Sequence, residues 1–144
     1  FYCPLRNATR GYQRVLGASA VPTYSYRFDH IVSFDCWGPD YWFCVGYVCH
    51  GSELPFEFNV FNDGLTIFYE PNADEIELTT DMTRLWTNFI TSGNPNKGLP
   101  VDDLFPLYNE KVDGILVLEE PNVGVKYHQR EQYCDFWDKV GYFY

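Results

Sequence analysis

Two kinds of apolar pattern alternate along this 144-residue chain. One is helical. Leu78, Met82, Leu85, Trp86 and Phe89 recur at spacings that place them on a single stripe. This predicts a helix over 75–92, ended by Gly93 as a left-handed cap and by Pro95, which cannot continue it. A last helix over 130–140 presents Tyr133, Phe136, Trp137 and Val140. The other pattern is extended. Val21, Tyr24, Tyr26 and Phe28, with Pro22 at the entry, predict a strand over 21–28 that ends near Asp29 and His30. Two shorter strands follow over 115–118 and 123–127, joined by a hairpin turn at 120–122. Residues 5–17 read as a helix or an irregular turn, because Gly11 and Gly17 weaken a helix there. Residues 33–49, rich in Cys, Trp, Gly and Pro, predict a cross-linked loop, and 94–113 a second loop containing Pro100 and Pro106. Mixed strands and helices place the chain in the α/β or α+β class, and 144 residues fit one domain.

Composition changes this picture in three ways. Aromatic residues make up 19% of the chain, with 12 Tyr, 12 Phe and 4 Trp. So many large rings predict burial that extends to something beyond these residues. The formal net charge of -10 excludes nucleic acid and anionic membrane surfaces as partners, because both require Lys and Arg. No run of about 18 apolar residues is present to span a bilayer. Five cysteines, Cys3, Cys36, Cys44, Cys49 and Cys134, are spread along the chain without a C-x-x-C pair. They read as a disulfide framework in an oxidising compartment rather than a zinc or redox site. The glycosylation sequon Asn7-Ala8-Thr9 agrees with that compartment. An odd count leaves one thiol free or paired outside this chain.

Candidate chemistry centres on His50. Of the three histidines, His30, His50 and His128, only His50 is followed at once by glycine, in Val48-Cys49-His50-Gly51. A glycine there lets the backbone turn sharply, so the ring projects from a loop tip. Glu53 lies close enough in sequence to orient it, and the combination suits a general base. No credible nucleophile accompanies it. Gly17-Ala18-Ser19-Ala20-Val21 lacks the final glycine of a G-x-S-x-G elbow, and Ser19 precedes a strand instead of following one. Ser52 lacks the elbow too, and Cys49 reads as a buried thiol or disulfide partner. The histidines are far apart in sequence and form no H-E-x-x-H, so no metal site is expected.

Several segments carry a family resemblance. Cys49-His50-Gly51-Ser52-Glu53-Leu54-Pro55-Phe56-Glu57-Phe58 resembles the catalytic-histidine segment of type-B carboxylesterases and cholinesterases. Leu85-Trp86-Thr87-Asn88-Phe89-Ile90-Thr91-Ser92-Gly93-Asn94-Pro95-Asn96 is similar to that family's W-x-N-F-x-x-x-G-x-P-N helix end. Phe105-Pro106-Leu107-Tyr108 is similar to its W-P-x-Y, with Phe in place of Trp, and the strand 23–28 fits as well. Cys3-Pro4 and Cys134-Asp135-Phe136-Trp137 resemble the two ends of a family disulfide. These matches follow the family's order over essentially the whole chain.

The resemblance implies that residues 1–144 are the C-terminal third of an α/β-hydrolase domain: the last strands of a larger sheet with their packing helices, incomplete alone. It implies a serine esterase in which His50 is the base of a Ser–Glu/Asp–His triad. The serine, the acid and the oxyanion-hole glycines then lie upstream, in the rest of the protein or on a companion chain, and this chain alone is inactive. Glu53 is expected beside the site as a supporting, hydrogen-bonding residue, not as the triad acid. The substrate is a small-molecule ester, no cofactor is required, and the location is the secretory lumen or the cell exterior. The resemblance also implies a Cys3–Cys134 disulfide. Of the remaining cysteines, Cys36–Cys44 is the expected pair, stapling the loop that leads to His50, with Cys36–Cys49 and then Cys44–Cys49 as alternatives. Relatives of this fold also serve as non-catalytic adhesion or scaffold modules of the neuroligin or thyroglobulin kind. The residue at the upstream elbow separates the two readings.

Overall fold

The computed structural model describes residues 2–64, 68–102 and 104–142. Its elements are α1 (Tyr2–Leu16), β1 (Tyr26–Phe28), α2 (Leu54–Glu57), α3 (Ala73–Ser92), β2 (Gly114–Leu118), β3 (Gly124–Tyr127) and α4 (Glu131–Val140). The three strands form one sheet in the order β1-β2-β3. β1 runs parallel to β2, with Tyr26 opposite Leu116, and β2 runs antiparallel to β3, with Leu116 opposite Val125. A parallel pair needs a long crossover, and the chain supplies one that contains α3.

Every residue of β2 is buried. Leu116 and Leu118 face a core of Phe56, Leu78, Met82, Leu85 and Phe105, which draws on α2 and α3. Ile115 and Val117 face the opposite side and pack with Tyr108 and Tyr2. A strand covered on both faces has no polar face to show, so the sequence there is an unbroken apolar run. By the usual coefficient, fully burying such a side chain favours folding by about 1.5–3 kcal/mol.

α3 forms where its periodicity places it, and it begins slightly earlier than the stripe suggests. Asn72 caps it by accepting the N–H of Glu75 at 3.0 Å, and the Glu75 carboxylate accepts the N–H of Asn72 at 2.7 Å, closing a capping box. Gly93, at φ 72°, ends the helix in the left-handed conformation. Its buried face differs from the predicted stripe. Leu78, Met82 and Leu85 are in the core, but Phe89 is 47% exposed. In its place Asn88 is buried and ties down the loop that follows. Its amide donates to the carbonyls of Pro95 and Leu99, each at 2.9 Å, and its oxygen accepts the N–H of Leu99 at 2.6 Å. Residues 94–113 form the expected loop, apart from residue 103, which lies outside the described residues.

α1 is a full helix despite Gly11, and it starts at Tyr2, earlier than the sequence pattern indicated. Tertiary contacts outweigh the glycine cost of about 1 kcal/mol. Arg6 and Arg10, one turn apart, are both buried and both reach Asp113, which precedes β2, at 3.6 and 3.1 Å. Tyr108 joins this cluster. Its hydroxyl donates to Asp113 at 2.7 Å and accepts from Arg10 at 3.2 Å. Burial, with the adjacent Asp113 acting in the same direction, pushes the Tyr108 phenol up to about 12, so it stays a donor at neutral pH. The Cys3–Cys134 disulfide joins α1 to α4 across a separation of 131 residues.

β1 is shorter than predicted: only Tyr26–Phe28 forms ladder, and Tyr24 makes an isolated bridge to Leu107. The ring-bearing residues before it instead face an apolar cleft of about 660 Å³. Tyr12, Tyr24, Tyr26, Trp86, Phe89 and Phe105 are among its lining residues. Some of the large rings are therefore displayed on an open face, as is compatible with the composition's suggestion of burial beyond these residues.

Candidate active site

The segment around His50 is built as a stapled turn anchored in the core. A short tight helical stretch, Pro39–Cys44, brings Cys44 back toward Cys49, and the two form a disulfide. The expected Cys36–Cys44 pair is therefore not the one formed, and Cys36 is a free, half-buried thiol. The correction has a local cause. The tight helical stretch lies between Cys36 and Cys49, and Cys44 at its end bonds Cys49, five residues on, and not Cys36 before it. Because Cys49 is bonded, it offers no thiol as a nucleophile.

His50 follows Cys49 directly and is exposed. Gly51 is required behind it for two reasons. Its φ of 83° is a left-handed conformation, and a Cβ placed there would lie 2.8 Å from the Trp37 ring. Ser52 is 1% exposed, so it lies beneath the turn and away from the surface that bears His50. Its hydroxyl accepts the N–H of Cys49 at 3.2 Å, and the Ser52 N–H donates to the Cys49 carbonyl, also at 3.2 Å. The chain then enters α2, whose Phe56 is fully buried against the rings of Phe28, His30, Phe34 and Phe61. A disulfide on one side and a core aromatic on the other thus hold the histidine turn. This is the support from rigid elements that a positioned catalytic group needs.

Glu53, expected next to His50, sits half-buried at the N-terminus of α2. Glu57, one turn on, accepts the hydroxyl of Tyr26 at 2.9 Å and so ties α2 to β1. Ser19 ends the turn after α1 and is exposed, and it precedes β1, as no nucleophile elbow would. Asn7 of the sequon lies half-exposed on α1, where the Thr9 hydroxyl bonds the Leu5 carbonyl.

The other two histidines are engaged elsewhere. His30 is buried, with Nε2 3.5 Å from Glu75. Glu75 accepts the N–H of Ser33 at 2.5 Å, the Ser33 hydroxyl at 2.6 Å and the Asn72 N–H at 2.7 Å. This carboxylate is the hinge between α3 and the segment that leads toward the stapled loop. The sequence carried one signal for it, the Asn72-x-x-Glu75 spacing of a capping box. Burial by itself lifts the Glu75 carboxyl, but the hydrogen bonds from Ser33 and Asn72, with His30 nearby, more than reverse this and hold it below the usual carboxylate range. A carboxyl depressed in the folded state contributes stability that is present above its unfolded value, near 4.5, and is lost as pH falls through its lower folded value. Glu75→Gln is expected to destabilise the intact protein by about 1–3 kcal/mol near neutral pH, because a buried donor then faces an amide instead of a carboxylate. Urea midpoints should show this gap narrowing below about pH 4, and a gap of constant size would refute the ionised-carboxylate account.

His128 Nδ1 lies 3.2 Å from Glu131, and these two residues with Asp113 bring three possible metal-ligand atoms within 4.8 Å of one another. Arg6 and Arg10 already neutralise Asp113, so a divalent cation there would sit beside two guanidinium groups. Among the described residues no helix is long and apolar enough to cross a membrane.

Comparison with known proteins identifies the family of this chain. The model of the carboxylesterase family matches residues 1–137. The chain is 34% identical to an acetylcholinesterase of Bungarus fasciatus over 116 residues, which cover 80% of this chain and 18% of that protein. It is 33% identical to the human cocaine esterase over 125 residues, 85% of this chain and 20% of that protein. It is 28% identical to the human carboxylesterase 3 over 137 residues, 92% of this chain and 23% of that protein. The chain thus spans about a fifth of the length of these relatives. A small mixed sheet with helices packed on it is consistent with part of the α/β-hydrolase fold that this family implies. Taken with the match over nearly the whole sequence, it establishes that this chain belongs to the carboxylesterase family.

Proposed function

We propose that this chain is the C-terminal part, about a fifth to a quarter by the length of its relatives, of a secreted serine carboxylic-ester hydrolase and supplies its general base, His50. The observation that carries the reading is the placement of His50: exposed, on a turn held by Cys44–Cys49 on one side and by buried Phe56 on the other. In the reaction, the neutral imidazole takes the proton of a serine hydroxyl as that oxygen attacks the ester carbonyl. The imidazolium then protonates the departing alcohol, and the imidazole next activates water to release the acid. The serine, the carboxylate that orients the ring and the amides that stabilise the oxyanion belong to the rest of the protein. Glu53, half-buried on the same turn, supports the position of His50 and does not act as the triad acid.

Two features agree with this reading. The apolar cleft beside β1 and the exposed Trp42, Phe58 and Ile90 are surfaces against which the remainder of the domain packs. The disulfides fit an oxidising lumen or the cell exterior.

Labelling of the intact protein with a fluorophosphonate, followed by peptide mass spectrometry, tests the proposal. The expected result is one modified serine in a G-x-S-x-G elbow outside residues 1–144. Folded protein that takes no label, with another residue at the elbow, would make this a structural or adhesion module in which His50 has no chemical task.

A further inference from the structure

Three cysteines meet around one buried hydroxyl. The Ser52 hydroxyl accepts the N–H of Cys49 at 3.2 Å, and Ser52 lines the same small cleft as Cys36 and Cys44. This cleft, of about 80 Å³, is also walled by Val32, Phe34 and Trp37. A residue with a reduced thiol therefore lines the same cleft as one cysteine of a formed disulfide, and the other cysteine of that disulfide is the residue before His50.

We propose that Cys36 exchanges into this disulfide: its thiolate attacks the Cys44 sulfur, a Cys36–Cys44 bond forms, the Cys44–Cys49 bond breaks, and Cys49 departs as a thiolate adjoining His50. Cys36 gives its proton to solvent before the attack, and Cys49 takes one up afterwards. One disulfide and one thiol stand on each side, so no oxidant or reductant is consumed. Cys44 is the sulfur attacked because it shares the cleft with Cys36. Both pairings close short loops, so loop entropy hardly separates them.

Protonation keeps the exchange slow at neutral pH. Burial pushes the Cys36 thiol up, and the Asp35 carboxylate acts in the same direction, against the Ser52 hydrogen bond. Tyr69, whose hydroxyl donates to the Cys36 carbonyl at 3.0 Å, is a further titratable group near this thiol. Thiolate, the attacking species, therefore becomes abundant only in alkali. Exchange frees the residue before His50 from its covalent staple. That consequence for activity rests on the reading of His50 as the base, whereas the exchange itself does not.

The test is a thiol map of the intact protein, incubated in dilute solution without reductant at about pH 7 and about pH 9.5, then quenched in acid, alkylated and digested under acid conditions. Cys36 should be the alkylated cysteine at neutral pH. In alkali, alkylation should spread to Cys49 while a Cys36–Cys44 cross-linked peptide appears. The rate should be independent of protein concentration and rise roughly tenfold per pH unit while the thiol remains mostly protonated. Cys36→Ser should leave Cys49 unalkylated under the same conditions. Alkylation confined to Cys36 at both pH values would overturn the proposal. So would alkylation of Cys44, or alkylation of Cys49 in the Cys36→Ser protein. The map can be read whether or not the protein hydrolyses esters, so the failure of exchange and the failure of the esterase reading are distinguishable.

Discussion

Replacing His50 by glutamine is expected to lower kcat for ester hydrolysis by the intact protein by about 10⁴–10⁶-fold, with KM little changed. Glutamine keeps polarity and approximate size but cannot accept and return a proton. The loss should therefore fall on steps in which the serine hydroxyl must be deprotonated. The turn is held by Cys44–Cys49 and by buried Phe56, so folding should change by no more than about 1 kcal/mol. The pair of measurements matters, because a loss of activity that merely followed unfolding would move the urea midpoint as well. A decrease of only a few fold at unchanged stability would remove His50 from the reaction and leave its turn as a structural feature. Its support in the fold makes the strong result the expected one. Gly51 cannot take a side chain without meeting Trp37, Cys49 is bonded to Cys44, and Phe56 is locked in a cluster of rings.

Changing both Cys3 and Cys134 to serine is expected to lower the stability of the intact protein by about 5 kcal/mol, the loop-entropy value for so long a closure. The bond spans a sequence separation of 131, so breaking it releases nearly the whole chain in the unfolded state. It also joins α1 to α4, where Arg6 donates to Asp135 of α4 and, with Arg10, holds Asp113. That ionic cluster should keep the helices docked in the native state, so the loss should appear mainly as added unfolded-state entropy. The disulfide Cys44–Cys49, with a separation of 5, is the internal comparison, and its removal should cost only about 2 kcal/mol. Urea titrations of the two double variants give the ratio. Equal losses would show that native contacts, not loop length, set the contribution of the long bond.

The elements legible in the sequence are those whose driving force is local. α3 carries its period in Leu78, Met82 and Leu85, its start in Asn72-x-x-Glu75 and its stop in Gly93, so neighbours in sequence specify it. β2 and β3 were legible for a similar reason: a short apolar run over 115–118 and a β-prone segment with Val125 and Tyr127 lie on either side of a turn. α1 was only half-legible, because Gly11 argues against it and its main support is the pairing of Arg6 and Arg10 with Asp113, about a hundred residues away. β1 read longer than it is, because alternating rings over 21–28 fit a strand and a cleft lining equally well.

For the site, the sequence by itself supplied the candidate residue, His50, and the chemistry proposed for it. His50 before Gly51, in a segment resembling a known catalytic one, was recognisable because side-chain identity and spacing carry that information. The Cys3–Cys134 bond was likewise implied by resemblance. Tertiary structure alone decided the partner of Cys44, since three cysteines within 36–49 allow several pairings, and only the fold of Pro39–Cys44 brings Cys44 and Cys49 into bonding distance. It also decided that Glu53 sits at the head of α2, that Ser52 lies buried beneath the turn, and that Glu75 joins Ser33, Asn72 and His30 across 42 residues of chain. Each of these depends on which surfaces meet in space. Burial energies and hydrogen-bond partners are properties of that meeting, and no local run of residues contains them.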